Sequence, residues 1–138
     1  MYIKPFEPLA VFKKEEEEGY TVFCPNIEGV FSEGDTLEDA RQMIKDALEG
    51  VIAVALEENL ENYFSDEEYL PKEGEIVEPV DINKKLQVAV SIKIARERAG
   101  YSQRQIAEKI GIKQQHISRY EKGLVIPSAD RFLQLLSV

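Results

Sequence analysis

Apolar residues recur every three or four positions between residue 83 and the end of the chain, which is the spacing of amphipathic helices. This pattern predicts four short helices, near residues 83–99, 103–110, 114–122 and 127–136. Gly100 follows the first helix and favours the left-handed conformation that ends it. Ser102 and Gln105 form a capping-box pattern at the start of the second helix. The end of the chain is therefore predicted to be a small all-α domain.

The first 80 residues have a different pattern, in which short apolar stretches are separated by turns. This pattern predicts strands at Leu9–Lys13, Tyr20–Cys24, Val30–Glu33 and Ile76–Val80. Thr36 is predicted to cap a long helix between the third and fourth strands. The apolar stripe of that helix comprises Leu37, Ala40, Ile44, Ala47, Leu48, Val51 and Ala55. The order is β-β-β-α-β, so the fold class of the chain is predicted to be α+β, with Pro79 favouring an edge position for the last strand.

The charges divide the chain in the same way. From Lys84 onward there are 11 Lys and Arg against 4 Asp and Glu, a formal net charge of +7. Residues 1–83 contain 6 Lys and Arg against 22 Asp and Glu, a net charge of −16. Such an asymmetry indicates two domains with different partners. We predict one domain at residues 1–80 and a second at residues 81–138.

Composition excludes several classes of protein. No run of about 18 apolar residues is present, so no transmembrane span is predicted. The first residues lack the apolar stretch and cleavage site of a secretory signal peptide. Cys24 is the only cysteine and His116 the only histidine, so neither a disulfide nor a metal site is expected, and no cofactor is predicted. We expect a cytoplasmic protein.

The second and third predicted helices are short and joined by a few residues that include Gly111, which is the helix-turn-helix plan. Residues 102–111 (SQRQIAEKIG) and 114–123 (QQHISRYEKG) resemble the Cro and phage-repressor family at many fixed positions. The resemblance implies that the chain binds a double-stranded DNA operator, with the third helix in the major groove.

The same resemblance assigns roles to individual side chains. It places Gln114 and Gln115 where base edges are reached, and a glutamine amide can pair with adenine. Arg119, one turn further along, is expected to contact guanine or a phosphate. Gln103 is expected to bond a phosphate and to brace Gln114. The expected phosphate contacts are Lys113, Ser118 and Lys122. Glu121 is expected to hold the loop that follows it rather than to touch DNA.

A second resemblance concerns the acidic half. Residues 19–30 (GYTVFCPNIEGV) and 34–40 (GDTLEDA) resemble the HicB antitoxins, with an aromatic strand, a proline corner and a Gly-Asp-Thr start to the helix. Asn26 stands where that corner usually carries aspartate, and Val30 where cysteine is frequent. The resemblance implies that the N-terminal domain has a partial ribonuclease-H-like fold.

It also implies a function, that of an antitoxin in a type II toxin-antitoxin system. Its partner would be a basic HicA-like toxin that cleaves mRNA, and an acidic surface attracts such a protein while repelling nucleic acid. The helix-turn-helix domain would repress the chain's own operon by operator binding, as a homodimer or higher homo-oligomer.

Two alternatives remain at this point. Ribonuclease H chemistry needs carboxylates clustered around Mg²⁺, but the first two predicted strands contain no acid, so no catalytic residue and no enzyme activity are expected. The other alternative is a plain helix-turn-helix transcriptional regulator whose N-terminal domain senses a small-molecule ligand. A small basic reading frame beside this gene would favour the antitoxin, and its absence would favour the regulator.

Overall fold

The computed structural model describes residues 4–138. The elements in chain order are β1 (Leu9–Lys14), β2 (Tyr20–Phe23), β3 (Phe31–Gly34), α1 (Leu37–Ala55), β4 (Glu75–Pro79), α2 (Lys84–Arg98), α3 (Gln103–Ile110), α4 (Gln114–Glu121) and α5 (Ala129–Leu136). A short 3₁₀ turn, Leu60–Asn62, lies between α1 and β4. The α+β class and the β-β-β-α-β order are confirmed, and each predicted limit lies within two residues of the observed one.

The chain forms two compact units, and their division is not a single cut in the sequence. The sheet unit comprises Glu7–Val54 and Tyr63–Ile82. The helical unit comprises Ala55–Asn62 and Asn83–Val138, together with the described residues before Glu7. The predicted helical domain therefore lacks two short segments that the compact helical unit contains.

The sheet unit is built on four antiparallel strands in the order β3-β2-β1-β4. β4 thus lies at an edge, and Pro79 pairs with Leu9 at its end. Arg41 of α1 bonds to β4, because its guanidinium donates to both carboxylate oxygens of Glu78 at 2.9 and 2.8 Å. This contact holds the pKa of the Glu78 carboxyl below its usual range.

α1 is capped as predicted, because the Thr36 hydroxyl accepts the Asp39 backbone N–H at 3.0 Å. Its fully buried positions are Ala40, Ile44, Leu48, Ile52 and Ala55. Ile52 lies outside the predicted stripe, whereas Ala47 and Val51 inside it are only half-buried. The buried residues of α1 are therefore four positions apart from Ala40 to Ile52, whereas the predicted stripe used spacings of both three and four.

The segment that follows Tyr63 contacts the sheet at Phe23 of β2. The Tyr69 ring meets the Phe23 ring edge-on with centroids 5.6 Å apart, and the Tyr69 hydroxyl donates to the Glu75 carboxylate at 2.8 Å. Cys24, directly after β2, is buried, and burial raises the pKa of its thiol to about 12. Since the thiolate is the reactive form, Cys24 has a packing role, as an apolar thiol is expected to have.

α2 is the central helix of the helical unit, and seven consecutive residues of it, 89–95, are buried. Lys93 donates from Nζ to the backbone carbonyls of Leu56 and Glu58 at 2.6 and 2.5 Å. One turn later the Glu97 carboxylate accepts the backbone N–H of Leu60 at 2.9 Å. Burial raises the pKa of the Glu97 carboxyl. The segment after α1 is therefore fixed to α2 by two charged side chains.

α2 also contacts the core of the other helices. The buried members of this core are Ile92, Ile106, Ala107, Ile117 and Leu135. On α5, Leu135 and Leu136 are buried in this unit, whereas Leu133 is 50% exposed. Among residues 4–138, no helix is long and apolar enough to cross a membrane.

Candidate nucleic-acid interface

Local capping defines where α3 begins and where it ends. Ser102 and Gln105 complete the predicted capping box: the Ser102 hydroxyl accepts the Gln105 N–H at 3.0 Å and the Gln105 side chain accepts the Ser102 N–H at 2.8 Å. Gly111 ends α3 in the left-handed conformation at φ 74°, which a residue with a Cβ adopts only under strain. The buried Ala107 carbonyl accepts the Ile112 N–H at 3.0 Å and closes the turn.

α4 begins directly after this turn and presents its first residues to solvent. Gln114 and Gln115 are both exposed, and Lys113 occupies the N-cap without a side-chain capping bond. Ile117, on the opposite side of the helix, is fully buried in the core. The burial of Ile117 therefore fixes which face of α4 points outward.

Five of the seven predicted DNA-contacting residues surround a shared hollow of about 660 Å³, namely Gln103, Lys113, Gln114, Gln115 and Ser118. Its polar rim consists of amides, a hydroxyl and an ammonium group, which are the donors and acceptors that pair with base edges and phosphates. Arg119 on α4 and Lys122 directly after it are exposed but do not line this hollow. The hollow combines residues from the start of α3 with residues from the start of α4.

Gln103 has a partner that the sequence did not suggest. Its Nε2 donates to Glu121 Oε1 at 3.2 Å, whereas no hydrogen bond from Gln103 to Gln114 is found among the described side chains. The side chain of Gln103 is half-buried at the first position of α3. Glu121 therefore restrains the Gln103 amide at the edge of the hollow.

Glu121 bonds to α2 and α3 rather than to the loop that follows it, so that part of the expectation was wrong. Its carboxylate is 3% exposed and accepts hydrogen bonds from Nε and Nη2 of Arg96, each at 2.8 Å. The third Arg96 nitrogen, Nη1, donates to the Tyr101 carbonyl at 2.9 Å, and bonding to Glu121 raises the pKa of the guanidinium. A planar bidentate pair of this kind ties the last turn of α4 to α2. One signal was available in the sequence: Glu121 follows the apolar Ile117 by four positions and so shares its inward face.

Two family models match the chain, and they match different parts of it. The model described as helix-turn-helix matches residues 92–138, and the model described as UPF0150-like matches residues 2–62. A UPF0150 protein of Synechocystis sp. is 38% identical over 72 residues, which cover 52% of this chain and 81% of the relative. The chain belongs to the UPF0150 family. Its UPF0150 domain, which is HicB-like, is followed by a helix-turn-helix domain of the Cro and phage-repressor kind, as both resemblances predicted.

Two further relatives agree with this UPF0150 assignment. A second UPF0150 protein of Synechocystis sp. is 33% identical over 52 residues, covering 38% of this chain and 72% of the relative. Antitoxin HicB 1 of Photorhabdus laumondii is 32% identical over 105 residues, covering 75% of this chain. The chain spans 63% of that antitoxin, less than two thirds of its length. An alignment of 105 residues is longer than either matched domain, so this UPF0150 chain is a homologue of the HicB antitoxin across parts of both domains.

Proposed function

We propose that this protein is the antitoxin of a type II toxin-antitoxin system. In this proposal the sheet unit binds and inhibits a basic, HicA-like toxin that cleaves mRNA, and the helical unit represses the operon by operator binding. The protein acts by binding partners, without catalysis of its own. The observation that carries the proposal is the alignment with Antitoxin HicB 1, because it extends over parts of both domains.

The charges of the two units support this division of tasks. The sheet unit contains 5 Lys and Arg against 19 Asp and Glu, a formal net charge of −14. The helical unit contains 12 against 7, a net charge of +5. A strongly acidic surface speeds association with a basic protein, and a basic surface favours phosphate contacts. The two partners are thus distinguished by the sign of the charge that each unit presents.

DNA binding would use the hollow at the start of α3 and α4. Gln114 and Gln115 would meet base edges, and Arg119 would contact guanine or a phosphate. Gln103, Lys113, Ser118 and Lys122 would contact phosphates and fix the register. We further propose that the chain binds as a homodimer or higher homo-oligomer, so that two α4 helices enter successive major grooves.

Replacement of Gln114 or Gln115 by Ala should weaken binding to the cognate operator by about 1–3 kcal/mol, because a bidentate base contact is lost. Binding to unrelated DNA should change little, since phosphate contacts provide that affinity. A gel-shift or fluorescence-anisotropy titration on both DNAs measures the two effects. The matched control is Gln134→Ala, which removes an exposed glutamine of α5 that does not line the hollow. Equal losses on both DNAs would contradict a base-reading role.

The toxin-binding half of the proposal is tested by co-purification. The small basic protein encoded beside this gene, expressed with the chain, should be retained by the tagged full-length antitoxin and should lose its RNA cleavage. Failure of that defined protein to bind would argue for a regulator of another kind.

A further inference from the structure

The two edges of the sheet are not equally protected. At one edge, β4 ends in Pro79, which has no N–H to offer a further strand. The other edge is β3, whose four residues Phe31–Gly34 contain no proline. Natural sheets block their edges against unwanted pairing with proline, charge or a covering segment. β3 carries one charge, Glu33, but also an aromatic side chain that is 74% exposed.

The pairing of β3 with β2 determines which backbone groups point outward. The Cys24 N–H donates to the Val30 carbonyl at 3.0 Å, and the register continues with Phe23 opposite Phe31 and Val22 opposite Ser32. Antiparallel partners alternate between hydrogen-bonded and non-hydrogen-bonded pairs. This alternation directs the N–H and C=O of Phe31 and Glu33 away from β2. Among the described residues, no backbone hydrogen bond from a neighbouring segment reaches either of them.

An apolar row ends at the same place. Phe31 lies opposite Phe23, which lies opposite Val11, which in turn lies opposite Val77. Residues that face each other across strands share a face of the sheet. Val11 is fully buried and Phe23 is half-buried beneath Tyr69, whereas Phe31 is 74% exposed. The row therefore stops at an uncovered phenylalanine beside free backbone groups.

Carboxylates surround the end of this strand. A hollow of about 570 Å³ begins at Glu33 and Asp35, and its other acidic residues are Glu15, Glu18 and Asp39. Among the ion pairs found within residues 4–138, none involves Glu33, Asp35 or Asp39. The hollow also contains Met43, which is 47% exposed. A partner strand placed on β3 would thus enter a surface that favours Lys and Arg side chains.

We propose that the free edge of β3 is the docking surface for the basic toxin. A strand or extended segment of the toxin pairs with the outward backbone groups of Phe31 and Glu33, and the Phe31 ring is its apolar anchor. Basic side chains of the same segment lie over the adjacent carboxylates. A second copy of this unit is disfavoured at the edge, because two surfaces of net charge −14 repel each other. The inference rests on the proposed function, since it locates the contact with the partner named there.

Substitutions at two positions of the full-length chain test this surface against the purified product of the adjacent basic reading frame. Phe31→Lys removes the apolar anchor and adds a positive charge, which the basic toxin repels. The dissociation constant for the toxin should therefore rise at least about 30-fold. Glu33→Pro removes one outward N–H at a position where an edge strand tolerates proline, and should weaken binding about tenfold. Glu33→Gln keeps that N–H and should slow association only a few-fold.

Two controls separate docking from folding. Ile76→Lys places the same charge at a 40% exposed apolar position on β4, the opposite edge strand, and should leave toxin affinity within about twofold because that surface is outside the contact. Operator binding by Phe31→Lys should equal that of the wild type. In hydrogen exchange, the amides of Phe31 and Glu33 should become protected when toxin is added, which no purely structural role predicts.

Each outcome has a distinct meaning. If the wild type binds the toxin and Phe31→Lys and Glu33→Pro bind it equally well, the docking surface is overturned and the proposed function stays intact. If Ile76→Lys weakens toxin binding as much as Phe31→Lys does, the docking surface is also overturned, since the added charge alone would then explain the loss. Self-association that disappears in Phe31→Lys, with toxin binding retained, identifies the edge as a contact between copies and contradicts the proposal. Absence of toxin binding by the wild type overturns both the surface and the function.

Discussion

Glu121→Ala should lower the free energy of unfolding of the helical unit by about 3–5 kcal/mol, because removal of one partner leaves a buried charge without compensation. Glu121 is 3% exposed and the Arg96 side chain is 14% exposed, so solvent screens the remaining charge poorly. The Arg96 guanidinium would keep only its bond to the Tyr101 carbonyl. Urea unfolding followed by circular dichroism measures the change.

An exposed ion pair in the same unit provides the matched control. Arg104 and Glu108 lie one turn apart on α3, with side chains 79% and 67% exposed. Glu108→Ala should therefore cost at most about 0.5 kcal/mol. The double substitution Arg96→Met with Glu121→Leu should recover much of the loss, because it removes both buried charges together. If Glu121→Ala proves no more harmful than Glu108→Ala, the pair does not hold α4 to α2.

The second large effect concerns Leu60, which is fully buried in the 3₁₀ turn. Leu60→Ala should destabilise the helical unit by about 2–5 kcal/mol, since it leaves a cavity against α2. The expected effect extends across the two family matches. Leu60 lies within residues 2–62, the range of the UPF0150-like match, whereas α2 carries part of the helix-turn-helix match. Differential scanning calorimetry combined with hydrogen exchange of the α2 amides measures where the stability is lost.

The control for this substitution is Leu133→Ala on α5. Leu133 is 50% exposed, so its truncation removes little buried surface and should cost under about 1 kcal/mol. If Leu60→Ala leaves the exchange of the α2 amides unchanged, the segment after α1 does not contribute to the helical unit. A helical domain that begins at residue 81 would then be self-sufficient.

Features that depend on neighbouring residues could be predicted from the sequence. The caps at Thr36 and Ser102 were predictable, because the cap residue and its backbone partner are three positions apart. The edge position of β4 was predictable from Pro79, whereas the order of the other strands was not predicted. Such signals are local, and each element could be recognised from its own few residues.

Contacts between distant residues left no comparable pattern. Arg96 and Glu121 are 25 positions apart, and Lys93 reaches carbonyls more than 30 positions away. Each is an ordinary charged residue in the sequence, where charged side chains are most often exposed. Only the packing of α2 against its neighbours buries them. The same limit applies to the candidate site: Gln114 and Gln115 could be placed at the exposed start of α4 in advance, but the carboxylate that restrains Gln103 could not.

The central claim is that one chain neutralises a toxin and binds an operator through separate surfaces. Its most direct test is an RNA cleavage assay with the toxin and the full-length double variant Gln114→Ala, Gln115→Ala, which lacks the proposed base-reading amides. The account predicts that this variant fails to discriminate its operator yet stops cleavage at the same molar ratio as the wild type. Continued cleavage at excess variant, under conditions in which the wild type stops it, would contradict the separation of the two surfaces.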